Sequence, residues 1–247
     1  MNESPLAPLG SFRPLYVLGI DPGFASIGLC VYAVGPNPQD DRPVKMTVCR
    51  TSKATAKRKV RASDDNLERA KEIASWLNSV VSSYDIKIIC AETLSFPRSS
   101  SVAAKMAMCW GVIAAFSALK RIPVTQASPQ EIKKTMCQNK SASKEEVQAS
   151  LNLLFRADLV GPTGLMTKSG IPASQIEHPY DALAAVVACR DSAEVLLLRR
   201  MVECAASTES SLLDTSLIAS PSPKPTSKAR TPARSSSSPS VPRTEEA

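Results

Sequence analysis

The chain has 247 residues and a formal charge of +7, with 30 Lys and Arg against 23 Asp and Glu. Hydrophobic residues make up 43% and aromatics only 4%, so Leu, Ile, Val and Ala must pack the core of one good-sized domain plus an extension. The positive balance favours an anionic partner such as nucleic acid. No apolar run approaches the roughly 18 residues of a membrane span, and the opening MNESPLAPLGSF lacks the charged head and long apolar stretch of a signal peptide.

Residues 1–14 read as a flexible arm. Leu15–Asp21 and Ile27–Val34 read as strands joined by a Pro22-Gly23 turn. The first strand ends on a carboxylate held rigidly at the sheet edge. GPNPQDDR over 35–42 is a loop, Val44–Arg50 a third strand, and KATAKRKVR over 53–61 a basic segment. Ser63 is placed to cap a helix running to about Ser83, with apolar positions at helical spacing. Ile86–Ala91 is a short, almost wholly apolar strand that suits a central position and ends on Glu92. A polar loop follows, then a small-residue helix over 101–120 and a strand over Ile122–Gln126. Ser128-Pro129 opens a short helix, and Ser143–Phe155 forms another that begins SKEE. Residues 156–177 read as loop, His178–Arg200 as the last helix, and 205–247 as a disordered Ser/Pro-rich tail. Three strands first, then alternating helices and strands, describe an α/β domain with a mixed sheet. Its folded part is expected over 15–204. Neither GxGxxG nor GxxxxGK[ST] occurs, which argues against a doubly wound nucleotide fold.

Seven cysteines, scattered and without a CxxC pair, read as reduced core thiols of a cytoplasmic protein. The chemistry lies elsewhere. Asp21 and Glu92 end two apolar strands, and carboxylates so placed can meet above a sheet. His178 and Asp181 stand three apart at a helix start and share its face. Three carboxylates and one imidazole suit Mg²⁺ or Mn²⁺. Clusters of this kind hold two ions about 3.5–4 Å apart in phosphodiester hydrolysis. Singly, each residue has a plainer reading: an Asx turn for Asp21, a loop cap for Glu92, a first-turn acid for Asp181, a surface histidine for His178. The four together, in this order on this strand and helix pattern, favour the metal site.

GIDPG with its following strand, AET after IKIIC, SPQEIKKTMCQNKSASKEEV and HPYDALAAVVA together resemble the RuvC family of Holliday junction resolvases over about residues 15–192. The resemblance implies an RNase H-like mixed five-stranded sheet flanked by helices, a homodimer, and divalent-metal cleavage of two opposed strands of a four-way DNA junction. It implies that Asp21, Glu92 and Asp181 bind metal and that His178 is the fourth ligand. It also implies that Lys133 and Lys144 contact scissile-strand phosphates, with Lys144 steadying transition-state charge. The chain departs from the family at Gln138–Lys140, where a glycine-containing loop is common; Lys140 is a further candidate phosphate contact. By the same resemblance Phe96 wedges against bases at the junction centre, Arg98 and Lys105 touch phosphates, and a branch-migration helicase is a partner. The competing functions are a broader branched-DNA or flap nuclease with the same site, a catalytically silent junction-binding protein, and an RNase H acting on RNA–DNA hybrids.

Overall fold

The computed structural model describes residues 14–54, 60–94, 98–155 and 161–218, with 208–218 as backbone only. Five strands, β1 (Leu15–Asp21), β2 (Ser26–Val34), β3 (Arg42–Arg50), β4 (Ile86–Glu92) and β5 (Val124–Ala127), form one sheet in the order β3-β2-β1-β4-β5. β1, β2 and β3 pair antiparallel, while β4 and β5 run parallel to β1. The sheet is therefore mixed and five-stranded, as the element order implies.

Side-chain alternation divides this sheet into two faces. Leu18, Ile20, Leu29, Val31, Ile89 and Ala91 point to one face, beneath α1 (Ala62–Ser83) and α2 (Ser100–Lys120). Val17, Cys30, Tyr32, Ile88 and Cys90 point to the other, beneath α6 (Glu177–Ala188). Asp21 and Glu92 continue the second series. Because Ile20 pairs with Ala91 in parallel register, the two acids leave adjacent strands side by side on the α6 face.

Helix α6 lies against β1 and β2 with almost no gap. A Cβ on Gly19 would stand 2.3 Å from the Ala182 carbonyl oxygen, and one on Gly28 would stand 2.1 Å from that of His178. Only hydrogen fits at these two points. Helices α3 (Pro129–Cys137) and α4 (Lys144–Leu154) flank α6. Each opens with a reciprocal cap, Ser128 with Glu131 and Ser143 with Glu146; the hydroxyls accept the N3 amides at 3.2 Å in both.

Four expectations need correction. The stretch 156–177 is not all loop: Gly161-Pro162 begins a helix, α5 (Pro162–Lys168), which buries Pro162, Leu165 and Met166. Gly and Pro mark a helix start here, not a loop. The last predicted helix is two, because the chain turns at Cys189–Ser192 and restarts as α7 (Ala193–Ile218), with Ser192 Oγ accepting the Val195 amide. That turn lets Arg199 of α7 reach the buried Asp41 beside the β2–β3 connection; Arg199 Nη1 donates to Asp41 Oδ1 at 3.0 Å and to the Gly35 carbonyl at 3.3 Å. Helix also continues through Ile218, past the residue 205 at which the tail is expected. Finally, Ser63 is not the cap of α1, which starts at Ala62 after Arg61 with no side-chain cap.

The sequence leads one to expect no membrane span, yet among the described residues α2 is long and apolar enough by length and composition to pass for one. Lys105 and the serines at 100, 101 and 117 interrupt its apolar run in the sequence. In the fold, Cys109, Ile113 and Phe116 pack on the sheet. Five of the seven cysteines, Cys30, Cys49, Cys90, Cys109 and Cys189, are buried free thiols.

The tight seat of α6 makes a definite prediction. Gly28→Ala drives a methyl group into helix backbone, which cannot rotate away, and overpacking of this kind costs about 1–3 kcal/mol. A fall of that size in unfolding free energy, measured by urea titration, is expected; an unchanged midpoint would mean that α6 does not sit against β2 as described.

Candidate metal centre

Asp21, Glu92, His178 and Asp181 line one cleft of about 270 Å³, together with Pro22, Gly23, Pro129, Ile132, Lys133, Lys144 and Val147. β1 and β4 supply the first two acids, and the first turn of α6 supplies His178 and Asp181. His178 Nδ1 lies 2.7 Å from Asp21 Oδ2. An ionised carboxylate can only accept, so Nδ1 carries the proton and Nε2 is left with its lone pair in the neutral ring. Lys144, at the start of α4, reaches over the cleft and donates to Asp181 Oδ2 at 3.4 Å and to Glu177 Oε2 at 3.1 Å.

The electrostatics of the cleft are those of crowded acids. Burial, then the charges of Asp21 and Asp181, raise Glu92 to about 7, against the pull of Lys144 and Lys133. Burial and Asp21 raise Asp181 to about 6, partly offset by Lys144. The hydrogen bond to Asp21 holds His178 above its ordinary value, although burial opposes this. For Lys144, burial pulls down, but Asp181 and Glu177 outweigh it and hold the amine above its ordinary value. For the two carboxylates burial is the larger cause, and the neighbouring acids add to it beyond what Lys144 and Lys133 take away.

Among the described residues, no three His, Cys, Asp or Glu side chains close on a single point as in a finished ligand cage. The acids line one cleft. Their chemistry nevertheless fits a hard divalent cation: three carboxylate groups from rigid elements, one imidazole, and an excess of negative charge at one spot.

The other expected residues divide by position. Lys133 lines the cleft. Lys140 is exposed in the turn between α3 and α4, Arg98 is exposed just before α2, and Lys105 is half-buried on α2; none of the three lines the cleft. Phe96 lies outside the described residues.

Sequence reasoning missed two residues. Glu177, next to His178, shares Lys144 with Asp181. Arg69 is buried on the inner face of α1 in line with Ile73, Leu77 and Val80, and it holds the turn after Asp21. An arginine inside an apolar stripe was the available signal, because buried guanidinium groups have partners.

The sequence profile of the crossover junction endodeoxyribonuclease RuvC matches residues 17–159, a span that includes Asp21, Glu92, Lys133 and Lys144 and ends before His178. The chain is 28% identical over 142 residues to the crossover junction endodeoxyribonuclease RuvC of Pseudothermotoga lettingae, covering 57% of this chain and 80% of the relative. It is 25% identical over 183 residues to that of Treponema pallidum, covering 74% and 81%. Among solved structures it resembles Thermus thermophilus RuvC in complex with a Holliday junction substrate, with a TM-score of 0.56, 23% identity, and coverage of 72% of this chain and 94% of that one. It also resembles the yeast mitochondrial Holliday junction resolvase, with a TM-score of 0.50, 11% identity, and coverage of 80% and 85%. These two likenesses are of fold: a mixed five-stranded sheet flanked by helices. With the profile matching more than half of its length, the chain belongs to the RuvC family of crossover junction endodeoxyribonucleases.

Proposed function

We propose that this nuclease resolves Holliday junctions at the cleft above β1 and β4, with Asp21, Glu92, Asp181 and His178 as ligands of Mg²⁺ or Mn²⁺, two ions per site. The observation that carries this reading is the meeting of acids from β1, β4 and α6 in one cleft that Lys133 and Lys144 also line. Membership of the family implies a divalent-metal-dependent hydrolase. When bound, such ions lower the pKa of an attacking water and offset charge on the phosphate.

The chain's own residues do the rest. Asp21 fixes the imidazole of His178 through Nδ1 and leaves Nε2 as its donor atom. Lys144 contacts Asp181 and Glu177 across the cleft. It passes to the scissile phosphate when that anion arrives and steadies the charge that builds there. Lys133 adds a second positive charge at the wall. Pro129, Ile132 and Val147 make that wall apolar, which strengthens each of these interactions. Lys140, Arg98 and Lys105 lie away from the cleft and act on the duplex arms, giving salt-sensitive affinity with no sequence information. Phe96 follows Glu92 by four residues in the chain and is the candidate wedge at the junction centre.

Two opposed strands need two sites, hence a homodimer. Helix α2 is the candidate contact: it is long and apolar in average composition, and Val102 and Leu119 are 46% and 82% exposed. A branch-migration helicase partner is suggested by family membership alone.

Purified protein with Mg²⁺ or Mn²⁺ and an immobile four-way junction tests the reading. Paired nicks in opposed strands of like polarity are expected; equal cutting of plain duplex would reject it. Asp21→Asn should slow cleavage about a hundredfold or more, the scale of a lost ligand or its orienting partner, while junction binding in EDTA persists. Full cleavage by that variant would remove Asp21 from the site.

The charge excess predicts a pH dependence in the metal-free protein. Glu92 and Asp181 have raised values in the fold, so the native state binds more protons than the unfolded chain between about pH 4 and 7. Stability therefore falls as pH rises through that window. His178, also raised, acts in the same direction, because its bond to Asp21 is strongest with the ring charged. Glu92→Gln should thus melt a few °C above wild type at pH 8 in EDTA and close to it at pH 5. Saturating Mg²⁺ should narrow the gap at pH 8, since the cation binds the ionised carboxylates. A gap independent of pH would show that Glu92 does not titrate in this range.

A further inference from the structure

The turn that follows Asp21 is held from below by a buried cation. Arg69 is 6% exposed. Its guanidinium lies 4.6 Å from the centre of the Phe24 ring. Its Nε donates to Thr51 Oγ1 at 2.8 Å, and its Nη2 donates to the Phe24 carbonyl at 3.3 Å. The Thr51 hydroxyl donates to that same carbonyl at 2.8 Å, and the Thr51 amide donates to Ala25 at 3.1 Å. Asp65, one helical turn before Arg69, stands 3.9 Å from Nη1.

This arrangement exceeds what packing requires. Residues Ile73, Leu77 and Val80 continue the same stripe of α1 and bury plain hydrocarbon against the sheet. At the one position of the stripe beneath Asp21-Pro22-Gly23-Phe24, the chain uses an arginine and surrounds it with acceptors. A buried guanidinium carries a large desolvation cost that its partners only offset. Its planar fork fixes the direction of each bond, which a leucine cannot do. Both donors and the hydroxyl converge on residues 24 and 51, so the far end of the turn has one position, and the strand end carrying Asp21 has one direction.

We infer that Arg69 and Thr51 are positioning residues for metal binding: through Phe24 they fix the turn that presents Asp21 to the cleft. The inference rests on the reading of Asp21 as a metal ligand. Neither residue lines the cleft, so neither touches metal or DNA; both act through the backbone of residues 22–25. Removing them leaves Asp21 chemically intact and still bonded to His178, but no longer braced from the turn, and ligand-orienting partners of this kind contribute about tenfold to a hundredfold in metal affinity.

The test is Mn²⁺ binding to the DNA-free full chain by titration calorimetry, for wild type, Asp21→Asn, Arg69→Met, Thr51→Val and Thr51→Ser, with melting temperature and junction affinity in EDTA measured on each. Thr51→Val keeps the side-chain shape and removes only the hydroxyl, so it decides the matter if Arg69→Met does not fold. Arg69→Met and Thr51→Val should bind Mn²⁺ about tenfold or more weakly while binding the junction in EDTA like wild type. Thr51→Ser, which restores the hydroxyl, should recover most of the affinity. Unchanged Mn²⁺ affinity in Thr51→Val, or a loss in Thr51→Ser as large as in Thr51→Val, overturns the positioning role. Asp21→Asn separates the two ideas: if it binds Mn²⁺ like wild type, the ligand reading itself fails; if it does not, while the turn variants bind normally, only the positioning role fails.

Discussion

The close approach of α6 to β1 and β2 is the constraint on which the site depends. Gly19 and Gly28 remove the side chains that would otherwise hold the helix away, and the carbonyls of Ala182 and His178 occupy the space. With the helix seated there, its first turn stands at the end of β1, and His178 comes within 2.7 Å of Asp21. Asp181 follows one turn later, beside Lys144. Without that contact the acids of the sheet and those of the helix would not share a cleft.

The second constraint is electrostatic and pulls against the first. Packing brings three carboxylates and Glu177 together, and Lys133 and Lys144 are too few to neutralise them. Burial first, and this crowding second, raise the protonation of Glu92 and Asp181. Such local strain is common where function needs it. Three buried charges elsewhere are matched: Asp41 with Arg199 inside the connection between β2 and β3, and Arg69 with Thr51 and Phe24 beneath the turn. The excess of acids at the cleft is where a divalent cation would be drawn.

Helix α7 shows how far local signals reach. Arg190, Asp191 and Ser192 can be read as a continuing polar helix face or as a break. The break is chosen because Arg199 then reaches Asp41, 158 residues away in sequence. In the same way, Gly161-Pro162 reads equally as loop or as helix start, and burial of Leu165 and Met166 decides between them. The apolar composition of α2 likewise fits a span, a core helix or a subunit contact until its neighbours are known.

By itself, the sequence determined the five strands, the carboxylates that end β1 and β4, and the two capped helices that carry Lys133 and Lys144. These follow from alternation, turn residues and caps, which act over a few residues. It also carried the resemblance to the family through ordered motifs. Only the tertiary structure decided that α6 is pressed against Gly28, that Lys144 shares Glu177 with Asp181, that Lys140, Arg98 and Lys105 stand outside the cleft, and that Arg69 holds the turn after Asp21. The reason is that burial and Coulomb forces depend on which distant segments meet, and His178 and Asp21 meet across 157 residues of chain.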